Sequence, residues 1–387
     1  IFTANVRLAK NMGIRARKIY KFFNGTLPTD LVCFDLNEKS FVKQETLDKS
    51  HAAHQGNETP DDNEELTPQT FDALSNGAQM VCNRLKKNQK QLRKWLTKNE
   101  VECYRLYDAD MPEYSAAIDC YGSWVHVQEY KAPKTIDEKK AAYRFDELLS
   151  AIPIALNISK DQIFVKQRQR NKGKQQYERF EQQENRAKIA VKEGQATLLV
   201  DLWSYLDSGL FLDHRPVRQM ITTMVNGKQF LNLFCYTATA TVHAALAGAA
   251  SSVSVDMSNT YLDWAEENFD ANNISSQRHE LVQSDCVTWL ENCRQGFDVI
   301  LLDPPSLSNS KRMDDVFDVQ RDHAKLIHRC MDLLNHGGTL IFSNNLRSFK
   351  LDKDITDEYR VNNITEKTFD PDFQRNKRIH QCYLIQS

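Results

Sequence analysis

From Gly227 onward the sequence predicts an open, doubly wound α/β sheet, with a small α+β domain ahead of it. Two observations carry this. Short apolar strand candidates alternate with helical stretches, as a mainly parallel sheet requires, and the strand-to-helix junctions hold the polar residues that a ligand crevice at the strand ends needs. Strands are expected over residues 229–234, 252–255, 280–283, 298–302 and 339–343, with helices near 239–247, 259–272, 287–293 and 318–334. Two last strands, near 361–368 and 381–385, have no helix of comparable length between them and are expected to pair antiparallel.

Ahead of this sheet, alternating or β-branched runs at 103–107, 116–118 and 124–130 precede a long helix over 137–156, for which Asp137 is the natural N-cap. Further strands are expected at 162–166, 188–191 and 197–202. Val81, Leu85, Leu92, Trp95 and Leu96 recur at helical spacing and leave the basic residues of that stretch on the other faces. Residues 51–68 shift to Gly, Asn, Thr, Pro and acidic groups (Glu58, Asp61, Asp62, Glu64, Glu65), the signature of a linker. Before it, two strands are expected around the turn pair Asn24-Gly25. That opening has no start methionine and reads as the tail of an upstream domain. The expected division is 1–46 tail, 47–75 acidic linker, 76–202 basic helix plus small α+β domain, and 203–387 doubly wound domain.

Of the 387 residues 41% are hydrophobic and 26% charged, ordinary usage for a chain that buries sizeable cores. No run of 18 apolar residues exists and the first 20 residues carry Arg and Lys throughout, so a cytoplasmic enzyme with no membrane span is expected. Nine cysteines without CxxC pairs or His-Cys clusters argue for reduced thiols, and against a disulfide framework or a metal site. The net charge of −2 hides local basic patches, to which a polyanion responds. Residues 84–98 hold seven basic side chains and no acid, and 166–179 hold six against Glu178 alone. Arg84, Lys86, Lys87, Lys90, Arg93, Lys94, Lys166, Arg168, Arg170, Lys172 and Lys174 are therefore expected to meet nucleic-acid phosphates, the bland alternative being a solvated helix face.

The chemistry-bearing residues stand at strand ends. The first strand runs into Phe234-Cys235-Tyr236-Thr237-Ala238-Thr239, a turn into a helix where free backbone N–H groups could meet a cofactor, although it lacks the usual glycine. Asp256 closes the second strand, about 20 residues on, where a carboxylate can accept both ribose hydroxyls of an adenosine cofactor; helix capping is the alternative, and Ser258 could do that instead. Asp285, followed by Cys286, closes the third strand, beside an adenine ring or as a cap. Asp303-Pro304-Pro305 ends the fourth, the prolines presetting φ in a rigid turn at the sheet edge.

Together, Gly209 to Arg215, Asn232 to Ala245, Val255 to Ser258, Asp303 to Arg312 and Phe317 to His323 resemble the C-terminal half of the bifunctional bacterial ribosomal RNA large subunit methyltransferase K/L family. The resemblance runs from about Asn83 to the end, and the first 45 residues resemble the tail of that family's upstream guanine-N2 methyltransferase. It implies a class I, Rossmann-like fold and methyl transfer from S-adenosylmethionine to guanine N7 in 23S ribosomal RNA, with the upstream domain as a partner in the same polypeptide. It also implies that Asp213 and Arg215 contact the methionyl end, that Phe234, Tyr236, Thr237, Ala238 and Thr239 form the cofactor loop, and that Asp256, Met257 and Ser258 hold the ribose. Asp285 and Cys286 would lie at the adenine and Asp303, Pro304 and Pro305 at the methyl group. Ala238 departs from the family, which has glycine there. Alternatives are cytosine-C5 methylation, which needs a thiolate and finds Ser306 after the prolines, guanine-N2 methylation, and a non-catalytic RNA-binding assembly factor.

Overall fold

The computed structural model describes residues 2–3, 16–24, 27–34, 70–130, 136–168, 187–204, 207–308 and 317–387. The chain forms two compact units, Ile1–Pro68 and Gln69–Ser387. In the first, β1 (Phe2–Thr3), β2 (Ala16–Asn24) and β3 (Leu27–Phe34) form an antiparallel sheet in which Asn24 pairs with Leu27, so two strands flank the Asn24-Gly25 pair as expected. The 47–75 linker falls largely outside the described residues.

The second unit begins with α1 (Asn76–Lys98), capped by Ser75 and burying Val81, Leu85 and Leu92. β4 (Cys103–Asp108), β5 (Ala116–Tyr121), β6 (Trp124–Tyr130), α2 (Glu138–Leu156) and β7 (Ile163–Arg168) follow. Asp137 caps α2 through the N–H of Lys140, as expected. The strands lie in the order β4-β5-β6-β7, and α1 and α2 share one core with one face of the sheet through Leu85, Leu106, Ile118, Val127, Leu148 and Ile152.

The hairpin β8 (Ile189–Glu193) and β9 (Ala196–Val200) was expected in the small domain. Its apolar face packs with Cys103, Tyr121 and Phe164 of the small sheet and with Leu202, Val242, Leu262 and Phe269 of the doubly wound half in one shared core. Alternation of buried residues made the strands legible, but not which layer covers them.

That half contains α3 (Arg215–Thr222), β10 (Gln229–Leu233), α4 (Thr239–Leu246), β11 (Ser251–Asp256), α5 (Asn259–Asp270), β12 (His279–Gln283), α6 (Cys286–Asn292) and β13 (Phe297–Leu302). The short pair β14 (Leu307–Ser308) and β15 (Phe317–Asp318) precedes α7 (Val319–Asp332), β16 (Leu334–Asn344), α8 (Lys353–Glu358), β17 (Arg360–Asn363) and β18 (Gln381–Gln386). The sheet order is β12-β11-β10-β13-β16-β18-β17; the first five strands are parallel and the last two antiparallel, as the sequence predicts. The strand order reverses between β10 and β13, so the crevice of this Rossmann-like sheet opens at the ends of those two strands.

Arg215 does not reach that crevice. It is 1% exposed, its Nη1 donates to Asp370 at 2.8 Å, and its Nη2 donates to Asp372 at 3.1 Å and to the Cys103 carbonyl. Its guanidinium also lies over the Trp95 ring, 5.2 Å from the centroid. The side chain is a strut between α1, β4 and the 370–372 turn, which corrects its expected place at the methionyl end. Arg215→Met strands the buried Asp372 carboxylate and should lower unfolding free energy by about 3–5 kcal/mol in denaturant titration. A variant as stable as the parent but deficient in cofactor binding would return Arg215 to the crevice.

Candidate functional site

The loop that leaves β10 has an uncommon backbone. Phe234, Tyr236 and Ala238 all sit in the left-handed region, with φ of 58°, 53° and 52°. Side chains and backbone together hold this shape. Tyr236 N–H donates to Asp256 Oδ2 at 2.9 Å, Phe234 N–H donates to Cys286 Sγ at 3.3 Å, and Ala238 N–H closes back on the Cys235 carbonyl at 2.8 Å. Thr237 Oγ1 donates to the Gly209 carbonyl at 2.6 Å, while Gly209 N–H donates to the Tyr236 hydroxyl at 3.0 Å. Only glycine fits at 209, where φ is +87° and a Cβ would collide with the Trp264 ring. Thr237 is fully buried and Cys286 nearly so. Their side chains brace the loop from behind, through the Gly209 carbonyl and the Phe234 N–H.

α4 starts directly after this loop, and Ala238 offers no side-chain cap. The first N–H groups of α4, from Thr239 on, therefore lack a side-chain acceptor and favour an anionic group such as a carboxylate. Asp256 closes β11 as expected. Its Oδ1 accepts from Ser258 N–H at 2.9 Å and its Oδ2 from Tyr236, leaving further lone pairs for two hydroxyl donors. Burial raises its pKa, and the backbone N–H groups of Ser258 and Tyr236 oppose that rise. Helix capping falls to Ser258, whose Oγ accepts from Tyr261 N–H at 3.4 Å, and Met257 lies half-buried between the two. These groups suit an adenosine cofactor with a charged amino-acid end. Asp285, by contrast, is the N-cap of α6, its Oδ1 accepting from both N–H and Oγ1 of Thr288 at 2.8 and 2.9 Å, so that oxygen is already engaged in capping.

Asp303, buried Pro304 and half-buried Pro305 follow β13 into the crevice. Asp303 Oδ2 lies 3.5 Å from His214 Nδ1, and His214 Nε2 is 3.2 Å from Ser343 Oγ. Asp213 turns to His380, with 2.9 Å between its Oδ2 and Nδ1, and this contact with the two nearby imidazoles holds its pKa well below the usual carboxylate range despite burial. His380 Nε2 lies 2.9 Å from Thr368 Oγ1. Asp213 is thus wired into a histidine network behind Asp303. Sequence reasoning missed His214, Ser343 and His380; the position of His214, next to Asp213 in the quoted motif, was the available signal. Cys235 and Cys286 are buried, and desolvation with the nearby Asp256 charge pushes both thiols well above their ordinary pKa. Neither is poised as a thiolate.

Of the basic residues, Lys86, Lys87, Lys90, Arg93 and Lys94 are exposed on α1 and Arg84 is half-buried. Arg170, Lys172 and Lys174 lie outside the described residues, and for Arg168 only the β7 backbone is described. Lys166 is a correction: it is 6% exposed, so it faces inward and cannot be a solvated phosphate contact.

The profile of the S-adenosylmethionine-dependent methyltransferases matches residues 109–364. The ribosomal RNA large subunit methyltransferase K/L of Cellvibrio japonicus (strain Ueda107) is 53% identical over 399 residues, covering 100% of this chain and 53% of its own length. The protein of the same description from Marinomonas sp. (strain MWYL1) is 49% identical over 387 residues, with 100% and 50% covered. The chain thus spans about half the length of these relatives. Among solved structures, SMU.776 complexed with SAH superposes with a TM-score of 0.65 at 23% identity, over 81% of this chain and 83% of that one, a likeness of fold.

Asp256→Ala should weaken binding of S-adenosylhomocysteine by about 1.5–3 kcal/mol, the scale of hydrogen bonds to a charged group. Calorimetric titration reads this, and unaltered affinity in a folded variant would remove Asp256 from the site.

Proposed function

Because the chain belongs to the S-adenosylmethionine-dependent methyltransferase family, we propose that it methylates N7 of a guanine in 23S ribosomal RNA. The ribosomal RNA named in the description of its relatives supports the substrate class, and their greater length suits action beside an upstream methyltransferase domain in the same cytoplasmic polypeptide. In this reading Asp256 holds the ribose, the N-terminus of α4 receives the carboxylate end, and the remaining oxygen of Asp285 accepts from the adenine amine. Bound there, S-adenosylmethionine supplies an electrophilic methyl group on a positively charged sulfur.

The observation that favours N7 over a pyrimidine carbon is the state of the two cysteines beside the loop. Carbon methylation of a pyrimidine requires a thiolate to add first, and both thiols are buried with raised pKa. Guanine N7 needs no such help: its lone pair forms the new C–N bond as the C–S bond breaks, and no proton has to leave. The chain's task is alignment and water exclusion, which the rigid Asp303-Pro304-Pro305 turn supports. Positive charge moves from sulfur to the guanine ring during transfer, and the Asp303 carboxylate, steadied by His214, stabilises it there. The exposed basic face of α1 provides phosphate contacts that position the RNA.

Nucleoside mass spectrometry after incubation of 23S ribosomal RNA with isotope-labelled S-adenosylmethionine should show 7-methylguanosine. 5-Methylcytidine or N2-methylguanosine in its place would overturn the reading. Asp303→Ala should slow the reaction about 10²–10³-fold, the cost of losing one well-placed electrostatic contact. Cys235→Ala and Cys286→Ala should slow it only modestly. Neutralising Lys86, Lys87, Lys90 and Arg93 together should flatten the salt dependence of RNA affinity while leaving cofactor affinity unchanged; an unaltered salt slope would reduce this face to solvated surface.

A further inference from the structure

The face of the β4–β7 sheet opposite α1 and α2 mixes polar groups with the apolar Cys103, Tyr121, Trp124 and Phe164, which join a core with the doubly wound half, and strand register shows how it is laid out. Arg105, Asp119, His126 and Phe164 stand side by side across the four strands. One pleat to one side lie Tyr121 and Trp124, and one pleat to the other lie Gln128 and Lys166. This face looks toward the doubly wound half. The Tyr121 hydroxyl is 2.8 Å from Ser208 Oγ, the Phe164 ring is 5.4 Å from Trp203, and Arg105 N–H donates to Asp372 at 3.2 Å.

Buried polar groups on such a face are normally paired. Arg105 is, with Nε and Nη2 donating to the two oxygens of Asp119 at 2.7 and 2.9 Å. His126 and Lys166 are not. Both ring nitrogens of His126 and Nζ of Lys166 lack a hydrogen-bond partner among the described residues, although the side chains sit in residues only 1% and 6% exposed. Burial and the neighbouring Lys166 and Arg105 charges hold His126 well below its ordinary pKa, hence neutral, with one ring nitrogen a donor and the other an acceptor. Desolvation brings Lys166 down to about 8 against the opposing pull of Asp201 and Asp207, so it stays mainly charged near neutral pH. Buried groups left this way are costly, a charge most of all, which favours an occupant that restores their hydrogen bonds.

Strand register sets His126 one pleat from Tyr121, whose hydroxyl meets Ser208, and the next residue, Gly209, is bonded to Tyr236 and Thr237 of the cofactor loop. The charge of Asp207 bears on Lys166 and also on Tyr236 of the cofactor loop. The charge of Arg105, which stands in one row with Asp119 and His126, also acts on Asp213, whose neighbour His214 contacts Asp303. We propose that His126 and Lys166 line the pocket that reads the Watson–Crick edge of the target guanine, Lys166 Nζ donating to O6 and the acceptor nitrogen of His126 receiving N1–H. The inference rests on the guanine-N7 reading and extends it to the specificity-determining residues. Guanine held by that edge turns N7 away from the small sheet, free to react. Adenine presents an amino donor in place of O6 and lacks the N1 proton, so it would set donor against the Lys166 ammonium and leave His126 unpaired.

The test uses the whole chain, saturated with S-adenosylhomocysteine and labelled with ¹⁵N at the lysine side chains, Lys166 being assigned by loss of its signal in Lys166→Met. Guanosine 5′-monophosphate should shift the Lys166 signal and adenosine 5′-monophosphate should not. Lys166→Met and His126→Asn should each weaken guanosine monophosphate binding roughly tenfold or more, with affinity for S-adenosylhomocysteine unchanged. If Lys166→Met does not fold, His126→Asn and the shifts compared against the other lysine variants carry the test. Equal response to both nucleotides, no response at Lys166, or unweakened binding in the folded variants would overturn the proposal. Formation of 7-methylguanosine by the parent protein alongside such a failure would discard this pocket and keep the reaction, whereas a guanine-selective pocket without 7-methylguanosine would discard the reaction.

Discussion

The backbone of residues 234–238 is the constraint on which the rest depends. Three non-glycine residues there hold positive φ, each at a cost on the order of 1–2 kcal/mol. Such a shape persists only where its surroundings over-determine it. Here Asp256, Cys286 and the Gly209 backbone do so from three directions, the first at the end of neighbouring β11, the second at the start of α6 and the third on the strap that precedes α3. The loop therefore does not need the glycine that usually supplies this conformation, because hydrogen bonds at fixed positions replace conformational freedom. It also transmits order outward. The same Gly209 carbonyl and N–H that tie down the loop belong to the segment whose Ser208 meets Tyr121 of the small sheet.

That connection explains why residues from Gln69 onward behave as one compact unit, although they contain two sheets. The small sheet is packed on one face by its own helices, and Cys103, Tyr121 and Phe164 on its other face join a core with the doubly wound half. Arg215 and the paired carboxylates Asp370 and Asp372 pin β4 against the far end of the chain. The β8–β9 hairpin lies against α5, with Asn268 and Asn272 of that helix region donating to or accepting from its backbone. Segments held this way keep the geometry of the crevice at the ends of β10 and β13, which is what alignment of a methyl donor with its acceptor requires.

Much of this was legible in the sequence, for a physical reason. Hydrophobic periodicity and strand-end polar residues report position along the chain, so the five parallel strands, the capping role of Asp137 and the placement of Asp256 and Asp303 could be read directly. Which way a side chain points is set by packing partners distant in sequence. Lys166 reads as one more member of a basic cluster, yet its neighbour Val165 is 43% exposed and Lys166 is buried, an inversion of the usual polarity, with the distant-in-sequence charges of Asp201 and Asp207 acting on its ammonium. Arg215 likewise lies in a motif that suggests ligand contact, but carboxylates more than 150 residues later in the chain claim it. His380 pairs with Asp213 across a similar separation. Thr237 and Cys286 sit where expected, and their side chains brace the loop through the Gly209 carbonyl and the Phe234 N–H.

The central claim is that this pre-shaped loop, together with Asp256 and the N-terminus of α4, is a working cofactor site despite alanine at position 238. Calorimetric titration of S-adenosylhomocysteine into the unaltered chain tests it most directly. Saturable binding of one molecule per chain is the predicted result, and the absence of any binding up to millimolar ligand would contradict the account.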